Sequence, residues 1–151
     1  MAFRKAPPYT HGQAARTGIL LCNLGTPDAP TAPALRRYLA EFLSDQRVVE
    51  IPRLLWWPIL HGIILRLRPK RSAAKYASIW TAEGSPLRMW TDKQAKGLAE
   101  KLKQRGHDVQ VKYAMTYGEP SIGAQIDALR QAGATRILMV TAYPQYSGTT
   151  T

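Results

Sequence analysis

The chain has 151 residues, of which 21 are lysine or arginine and 10 are aspartate or glutamate, so its formal net charge is +11. An apolar share of 45% is typical of a globular protein and excludes an intrinsically disordered chain. No apolar run is long enough to span a membrane, and residues 1–16 lack the apolar stretch of a secretory signal. The single cysteine, Cys22, excludes an internal disulfide and favours a reducing, cytoplasmic compartment.

The first part of the chain predicts an arm followed by a strand, a helix and a second strand. Prolines, glycine and polar residues over 1–17 indicate a flexible basic arm. The apolar run over 18–23 predicts the first strand, and turn-forming residues follow it. A helix is expected from Thr31, because apolar side chains recur at intervals of three and four residues. Residues 48–51 predict a short second strand that a proline ends.

Two helices are predicted in the middle of the chain. Ser72 is interpreted as the cap of a helix that carries apolar residues up to position 80. The pattern T-D-K-Q over 91–94 is interpreted as a capping box that opens a second helix. We expect this second helix to end at Gly106, since glycine is the common residue just past a helix.

The last part of the chain predicts two more strands around a helix. Residues 109–113 alternate between apolar and polar, and a helix is expected from Pro120 to Gly133. Residues 137–140 are apolar throughout, which predicts a fourth strand buried on both faces. Strands that alternate with helices indicate a parallel sheet. The prediction is therefore an α/β fold, a four-stranded, parallel, doubly wound (Rossmann-like) domain over 18–151.

Ligands of open α/β sheets bind beyond the carboxyl ends of the strands. Three segments follow the carboxyl ends of predicted strands: 23–26, 116–118 and 143–151. Together they are rich in hydroxyl groups and aromatic rings. This mixture suits a planar ligand with anionic arms, and a plain polar loop is the alternative. Gly25 stands alone, without the glycine spacing of a phosphate-binding loop, which argues against a nucleotide.

Residues 54–65, here called the lip segment, are mostly apolar and lie between Arg53 and a basic cluster over 66–75. The segment is too short to span a bilayer. Three interpretations stay open: a helix in a membrane interface, a lip around a large apolar ligand, and a buried core helix. The side chains concerned are Leu54, Leu55, Trp56, Trp57, Ile59, Leu60, Ile63 and Ile64.

The sequence names no catalytic group and no metal ligand. No Cys or His residues stand at metal-ligand spacing, and no carboxylate pair is placed for acid–base chemistry. His61 has no second ligand at helical spacing, and Cys22 is interpreted as a small buried hydrophobe.

A series of short motifs occurs in a fixed order along nearly the whole chain from Gly18. The main ones are NLGTPDAP (23–30), YLAEFLSD (38–45), RPK (68–70), GSPL (84–87) and YPQYS (143–147). This ordered series resembles the ferrochelatases. The resemblance implies the amino-terminal part of a protein with two similar α/β domains, porphyrin lying between them, and a second domain beyond Thr151.

The resemblance also implies a reaction and a set of binding residues. The whole protein would insert ferrous iron into protoporphyrin IX, the last step of haem biosynthesis, with both as substrates. Arg68, Tyr76 and Ser85 match positions that hold porphyrin carboxylates, and Leu24 matches an apolar position over the macrocycle that favours protoporphyrin over coproporphyrin. The other matching positions near the porphyrin are Tyr117, Tyr143, Ser147 and Thr149.

Two residues depart from the pattern of that family. Thr116 stands where an arginine is expected, which removes a bidentate donor. Gly148 stands where cluster-bearing members have cysteine, so no iron–sulfur cluster and no other cofactor is expected. The family's histidine base and its partner glutamate would lie beyond Thr151, so residues 1–151 alone are expected to be inactive.

Other functions stay open at this stage. One is a non-catalytic basic module that binds a membrane or RNA, although no nucleic-acid motif supports RNA and we expect no nucleic-acid partner. Another is a relative that inserts cobalt. The expected location is cytoplasmic, with peripheral contact at the inner face of the cytoplasmic membrane as the finer expectation.

Overall fold

The computed structural model describes residues 11, 12 and 14–143. Most of the expected arm and the segment after Tyr143 therefore lie outside the described residues. In chain order the elements are β1 (Thr17–Gly25), α1 (Ala32–Ser44), α2 (Arg53–Ile59), a π-helical turn (Leu60–Ile64), α3 (Leu65–Ile79), α4 (Pro86–Gln104), β2 (Gln110–Tyr117), α5 (Ile122–Gln131) and β3 (Arg136–Thr141).

The sheet is parallel, with the strand order β2-β1-β3. Its middle strand, β1, is buried from Gly18 to Cys22 because it is paired on both sides. On one face, α5 packs against a cluster that includes Leu20 and Ala114. On the other, the Asn23 amide donates to the Thr91 hydroxyl of α4 at 3.0 Å, since alternate strand residues point to opposite faces. The prediction of a parallel, doubly wound α/β fold is confirmed.

The predicted strand over 48–51 is wrong, and the described sheet has three strands instead of four. The backbone amides of Val48 and Val49 both donate to the carbonyl of Asp45, each at 3.0 Å. These local bonds satisfy donors that a strand would offer to a neighbour. The two valines are half-buried against the core, which explains why their apolar pattern resembled a strand.

Two predicted helix starts are also wrong. Ser72 lies inside α3, which continues the helical run that begins at Arg53. Thr91 lies inside α4, where its hydroxyl donates to the Leu87 carbonyl at 2.7 Å. The helix begins instead at Pro86, and proline at a first helical position loses no intrahelical bond. The predicted ends at Gly106 and Gly133 are confirmed, with φ of 79° and 89°.

β3 is less buried than its composition predicts. It pairs with β1 and forms one edge of the described sheet. Leu138 and Met139, which point to opposite faces, remain 54% and 47% exposed. The prediction that this strand is buried on both faces is wrong within the described residues, because the described helices leave part of each of its faces uncovered.

An apolar and aromatic cluster joins the helices to the end of β2. The Phe42 ring packs edge-on against Tyr117, with 5.0 Å between ring centroids, and lies parallel to Tyr38 at 6.0 Å. Leu60 and Leu65 bring the π-helical turn and α3 into the same cluster. Burial of these side chains stabilises the contact by about 1.5 to 3 kcal/mol each.

The carboxyl ends of β1 and β2 meet at Gly25. This residue has a φ of 116°, a conformation that side-chain-bearing residues rarely adopt. A Cβ at this position would collide with the carbonyl oxygen of Tyr117. The pairing of Gly25 with Tyr117 therefore requires glycine.

Gly25→Ala is expected to lower the free energy of unfolding by about 3 kcal/mol or more, since it adds backbone strain to a clash with fixed main chain. Urea denaturation measures the change. Gly97→Ala in α4 is the matched control, because a Cβ there meets nothing within 4 Å and alanine favours a helix. Equal stability of the two variants would contradict the role assigned to Gly25.

Candidate functional site

The carboxyl ends of the three strands lie side by side, as parallel pairing requires. Leu24 is at the end of β1, Thr116 and Tyr117 end β2, and Tyr143 follows β3. Leu24 is half-buried and packs against the aromatic cluster of α1 and β2. This edge is the place where open α/β sheets bind ligands.

Ser85 is linked to the loop after β1. The Thr26 hydroxyl donates to the Ser85 hydroxyl at 2.8 Å, and the two side chains are buried. Ser85 is the cap residue of α4, yet its side chain makes no capping bond to that helix. Because the Ser85 oxygen accepts from Thr26, its own proton is left for another acceptor, such as a carboxylate.

Arg68 and Tyr76 lie on α3 and interact electrostatically. Arg68 is exposed, and Tyr76 is half-buried. Burial raises the pKa of the Tyr76 phenol, and the positive charge of Arg68 partly offsets the rise. The phenol therefore stays protonated at neutral pH and can donate a hydrogen bond, on the same helix as the Arg68 cation.

The Tyr117 hydroxyl forms a hydrogen bond within the protein. Its hydroxyl donates to the Asp45 carboxylate at 2.9 Å, and the Arg47 guanidinium donates to the same carboxylate at 2.6 Å. Hydrogen bonds from Arg47 hold the pKa of the Asp45 carboxyl well below its usual range. Burial and the bond to Asp45 raise the pKa of Tyr117 to about 12. The Tyr117 proton is therefore committed to Asp45.

Thr116 and Tyr143 are joined by a hydrogen bond between their hydroxyl oxygens at 2.6 Å. Thr116 also borders a cavity of about 560 Å³ that contains both positive and negative side chains. The other residues that line it are Ala40, Glu41, Ser44, Asp45, Gln46, Arg47, Arg53 and Tyr117. Ser147 and Thr149, the remaining site residues of the sequence prediction, lie outside the described residues.

The structure divides the lip segment into two sets. Leu60 is fully buried, and Trp56 donates its indole N–H to the Leu43 carbonyl at 2.7 Å, so these residues belong to the core. Ile64 is half-buried against the same cluster. The exposed set, called the outer lip, is Leu54, Leu55, Trp57, Ile59 and Ile63. Among the described residues, no helix is long and apolar enough to cross a membrane.

The described histidines form no metal site. His61 stacks on Trp57 with 4.2 Å between ring centroids, and its Nε2 atom is buried without a hydrogen-bond partner among the described residues. His107 is exposed. Over 11, 12 and 14–143 there is no group of three or more His, Cys, Asp or Glu side chains that could hold a metal ion.

The sequence interpretation missed several partners that organise this site. Asp45 and Arg47 fix Tyr117, and Thr91 fixes the amide of Asn23. In the sequence analysis, Asp45 and Arg47 precede the predicted strand over 48–51, and Thr91 is the first residue of a predicted capping box. The contacts of Asp45 with Tyr117 and of Thr91 with Asn23 join residues about 70 positions apart, which no local pattern reveals.

A parallel α/β domain with hydroxyl groups at the carboxyl ends of its strands is of the class that, when it binds a ligand, binds it at that edge of the sheet. A family model described as Ferrochelatase matches residues 16–151. The ferrochelatase of Polaromonas sp. (strain JS666 / ATCC BAA-500) is 68% identical over 100% of this chain and 42% of its own length. That of Methylibium petroleiphilum is 67% identical over 96% of this chain and 40% of its own length.

The ferrochelatase of Dechloromonas aromatica is 61% identical over 99% of this chain and 41% of its own length. The chain belongs to the ferrochelatase family. It spans about two fifths of the length of the curated relatives that it matches, as these shares show.

Asp45→Asn is expected to lower the free energy of unfolding at pH 7 by about 1 to 2 kcal/mol, because it removes a charged acceptor of several hydrogen bonds. The folded-state pKa of Asp45 is depressed, so its contribution is present above its unfolded pKa of about 4 and is lost as the pH falls further. Urea denaturation at pH 7 and pH 3 should show a smaller pH effect in the variant.

Asp28→Asn is the control for this measurement. Asp28 pairs with Arg37 at 3.4 Å on the surface, where both side chains are more than half exposed. Such pairs contribute about 0 to 1 kcal/mol. Equal effects of the two substitutions at both pH values would refute the structural role of Asp45.

Proposed function

We propose that this chain is the amino-terminal part of an enzyme that inserts ferrous iron into protoporphyrin IX to form protohaem, a step of haem biosynthesis. Membership of the ferrochelatase family supports this activity. The observation that carries the proposal is that exposed Arg68 and half-buried Tyr76 both lie on α3, the helix that continues the outer lip. The helical elements over 53–79 therefore carry a cation, a phenol and exposed apolar side chains.

A porphyrin requires such a combination. It is a large apolar plate with two carboxylate arms, and carboxylates bind best to guanidinium and hydroxyl donors. Arg68, Tyr76 and Ser85 are the proposed partners of these arms. Leu24 is the proposed aliphatic contact with the macrocycle, and the resemblance to the family at this position favours protoporphyrin over coproporphyrin.

Metal insertion also requires a base, because the two pyrrole protons must leave. A neutral histidine accepts a proton near pH 7. His61 stacks on Trp57 and its Nε2 atom has no described partner that could orient it. We propose, from the resemblance to the family, that the histidine base and its carboxylate partner lie in the part of the protein outside 1–151, and residues 1–151 alone should insert no metal.

Fluorescence titration of the intact protein with protoporphyrin IX tests the binding residues. Arg68→Ala and Ser85→Ala should each weaken binding by about tenfold, which corresponds to loss of one charge-assisted hydrogen bond. Lys103→Ala, which removes an exposed cation near the end of α4, should leave the affinity unchanged. Unchanged affinity in both site variants would overturn the assignment of the carboxylate partners.

An insertion assay on the same proteins tests the reaction. The intact protein should convert protoporphyrin and ferrous iron to protohaem, and residues 1–151 should not. Insertion of cobalt without insertion of iron would favour a cobalt-inserting relative. Turnover by residues 1–151 at the rate of the intact protein would place the base within this chain.

We also propose that the protein is cytoplasmic and makes a peripheral contact with an anionic membrane. The outer lip exposes Leu54 at 91% and Trp57 at 54%, and these side chains lie close in the chain to exposed Arg53, Arg66 and Arg68. Apolar side chains beside cations favour the interface of a negatively charged bilayer. No cofactor, iron–sulfur cluster or nucleic-acid partner is part of the proposal.

The variant Leu54→Ser/Trp57→Ser should lose binding to vesicles that contain phosphatidylglycerol while its melting temperature stays nearly constant. Trp56→Phe is the matched control. It removes the indole donor to the Leu43 carbonyl and should lower the free energy of unfolding by about 1 kcal/mol while vesicle binding is retained. Vesicle binding that survives loss of both outer-lip side chains would contradict the membrane contact.

A further inference from the structure

Trp57 and His61 form an aromatic pair on the surface of the lip segment. Their rings stack with 4.2 Å between centroids and 22° between planes. Residues four apart in a helix lie one above the other on the same face, so the spacing of the two rings favours this contact. The stack joins the end of α2 to the π-helical turn Leu60–Ile64 that follows it.

The two tryptophans of this segment are held in different ways. Trp56 points into the protein, where its indole N–H donates to the Leu43 carbonyl at 2.7 Å. Trp57 is more than half exposed, and in the described part of the chain the ring that it stacks on is that of His61. One face of the Trp57 indole is therefore covered by the imidazole, and the opposite face is directed outward.

His61 acts in this pair through its flat ring. Its Nε2 atom is buried and has no hydrogen-bond partner within 11, 12 and 14–143. A buried ring nitrogen without a partner gives up its hydrogen bond to water and so adds no polar stabilisation to the fold. The contact with Trp57 is thus the interaction by which this side chain organises the surface around it.

The surroundings of the pair are apolar and basic. Leu54, Leu55 and Ile63 of the outer lip are each more than half exposed. Arg53 before the segment and Arg66 after it are exposed as well. Exposed apolar side chains between cations suit the interface of a negatively charged bilayer, and an indole is enriched at such interfaces.

We infer that His61 is a positioning residue of the outer lip, whose imidazole ring holds the Trp57 indole in the orientation that enters an anionic bilayer interface. A side chain already held in its bound orientation loses less freedom when it binds. The inference rests on the membrane contact proposed above, and it adds a residue that acts through Trp57 without reaching the lipid itself.

Four variants of the intact protein test this role: His61→Ala, His61→Phe, Trp57→Ala and the double variant Trp57→Ala/His61→Ala. Each is sedimented at neutral pH with vesicles of phosphatidylglycerol and phosphatidylcholine. His61→Ala should weaken vesicle binding about threefold, because the released indole must be ordered on binding. His61→Phe keeps a ring and should bind like the unaltered protein, and the double variant should bind no more weakly than Trp57→Ala.

His61→Phe separates stacking from charge. Phenylalanine carries no proton, so a direct attraction between a protonated His61 and the lipid would be lost in this variant, and that loss would overturn the positioning role. Melting temperatures of the His61 variants should stay close to that of the unaltered protein, since the Nε2 atom forms no hydrogen bond in the fold. A joint fall of melting temperature and vesicle binding in His61→Ala would show a packing role instead.

Titration of the same variants with protoporphyrin IX separates the bilayer from the porphyrin as the partner of Trp57. The affinity for protoporphyrin should be the same in His61→Ala and in the unaltered protein. A loss of porphyrin affinity as large as the loss of vesicle binding would assign the aromatic pair to the porphyrin and overturn the inference.

The vesicle results also distinguish this inference from the proposed membrane contact. An unaltered protein that binds no vesicles would overturn both. Normal vesicle binding with no loss in His61→Ala, or a loss in the double variant equal to the product of the two single losses, would overturn the role of His61 alone.

Discussion

The close approach of Gly25 to the Tyr117 carbonyl brings the carboxyl ends of β1 and β2 together, and the remainder of the site is arranged around it. The Tyr38 hydroxyl of α1 donates to the Gly25 carbonyl at 3.2 Å, which attaches a helix to the same point. Leu24 and Thr26 then lie on either side of the glycine, one against the apolar cluster and one bonded to Ser85. A side chain at position 25 would separate the strands and so disturb every one of these contacts.

Each hydroxyl group at the carboxyl ends of the strands has a single proton to donate. Some donate it within the protein, and others keep it for a ligand. Tyr117 donates to Asp45 inside the protein and stabilises the loop after α1. Ser85 accepts from Thr26 and keeps its proton, and Tyr143 can do the same when Thr116 donates to it. Internal hydrogen bonds therefore decide which hydroxyl groups are available to a ligand, a property that residue type alone does not reveal.

The lip segment has some side chains in the core and others exposed on the surface. Trp56 and Leu60 are spaced to face the cluster around Leu43, and Trp57 points to solvent beside them. Helical periodicity explains the division, because neighbouring residues in a helix point about 100° apart. The core contacts and the exposed apolar surface are therefore formed by different side chains of one helical run and can be changed separately.

Local chemistry in the sequence determined the alternation of strands and helices, the helix ends at Gly106 and Gly133, and the ordered motifs of the family. These features depend on residues close together in the chain, whose periodicity and turn preferences act without distant partners. Tertiary structure alone decided that residues 48–51 form no strand and that Thr116 contacts Tyr143. Both outcomes depend on which groups meet across the fold, since a backbone or side-chain donor binds the acceptor that the packed structure places within reach.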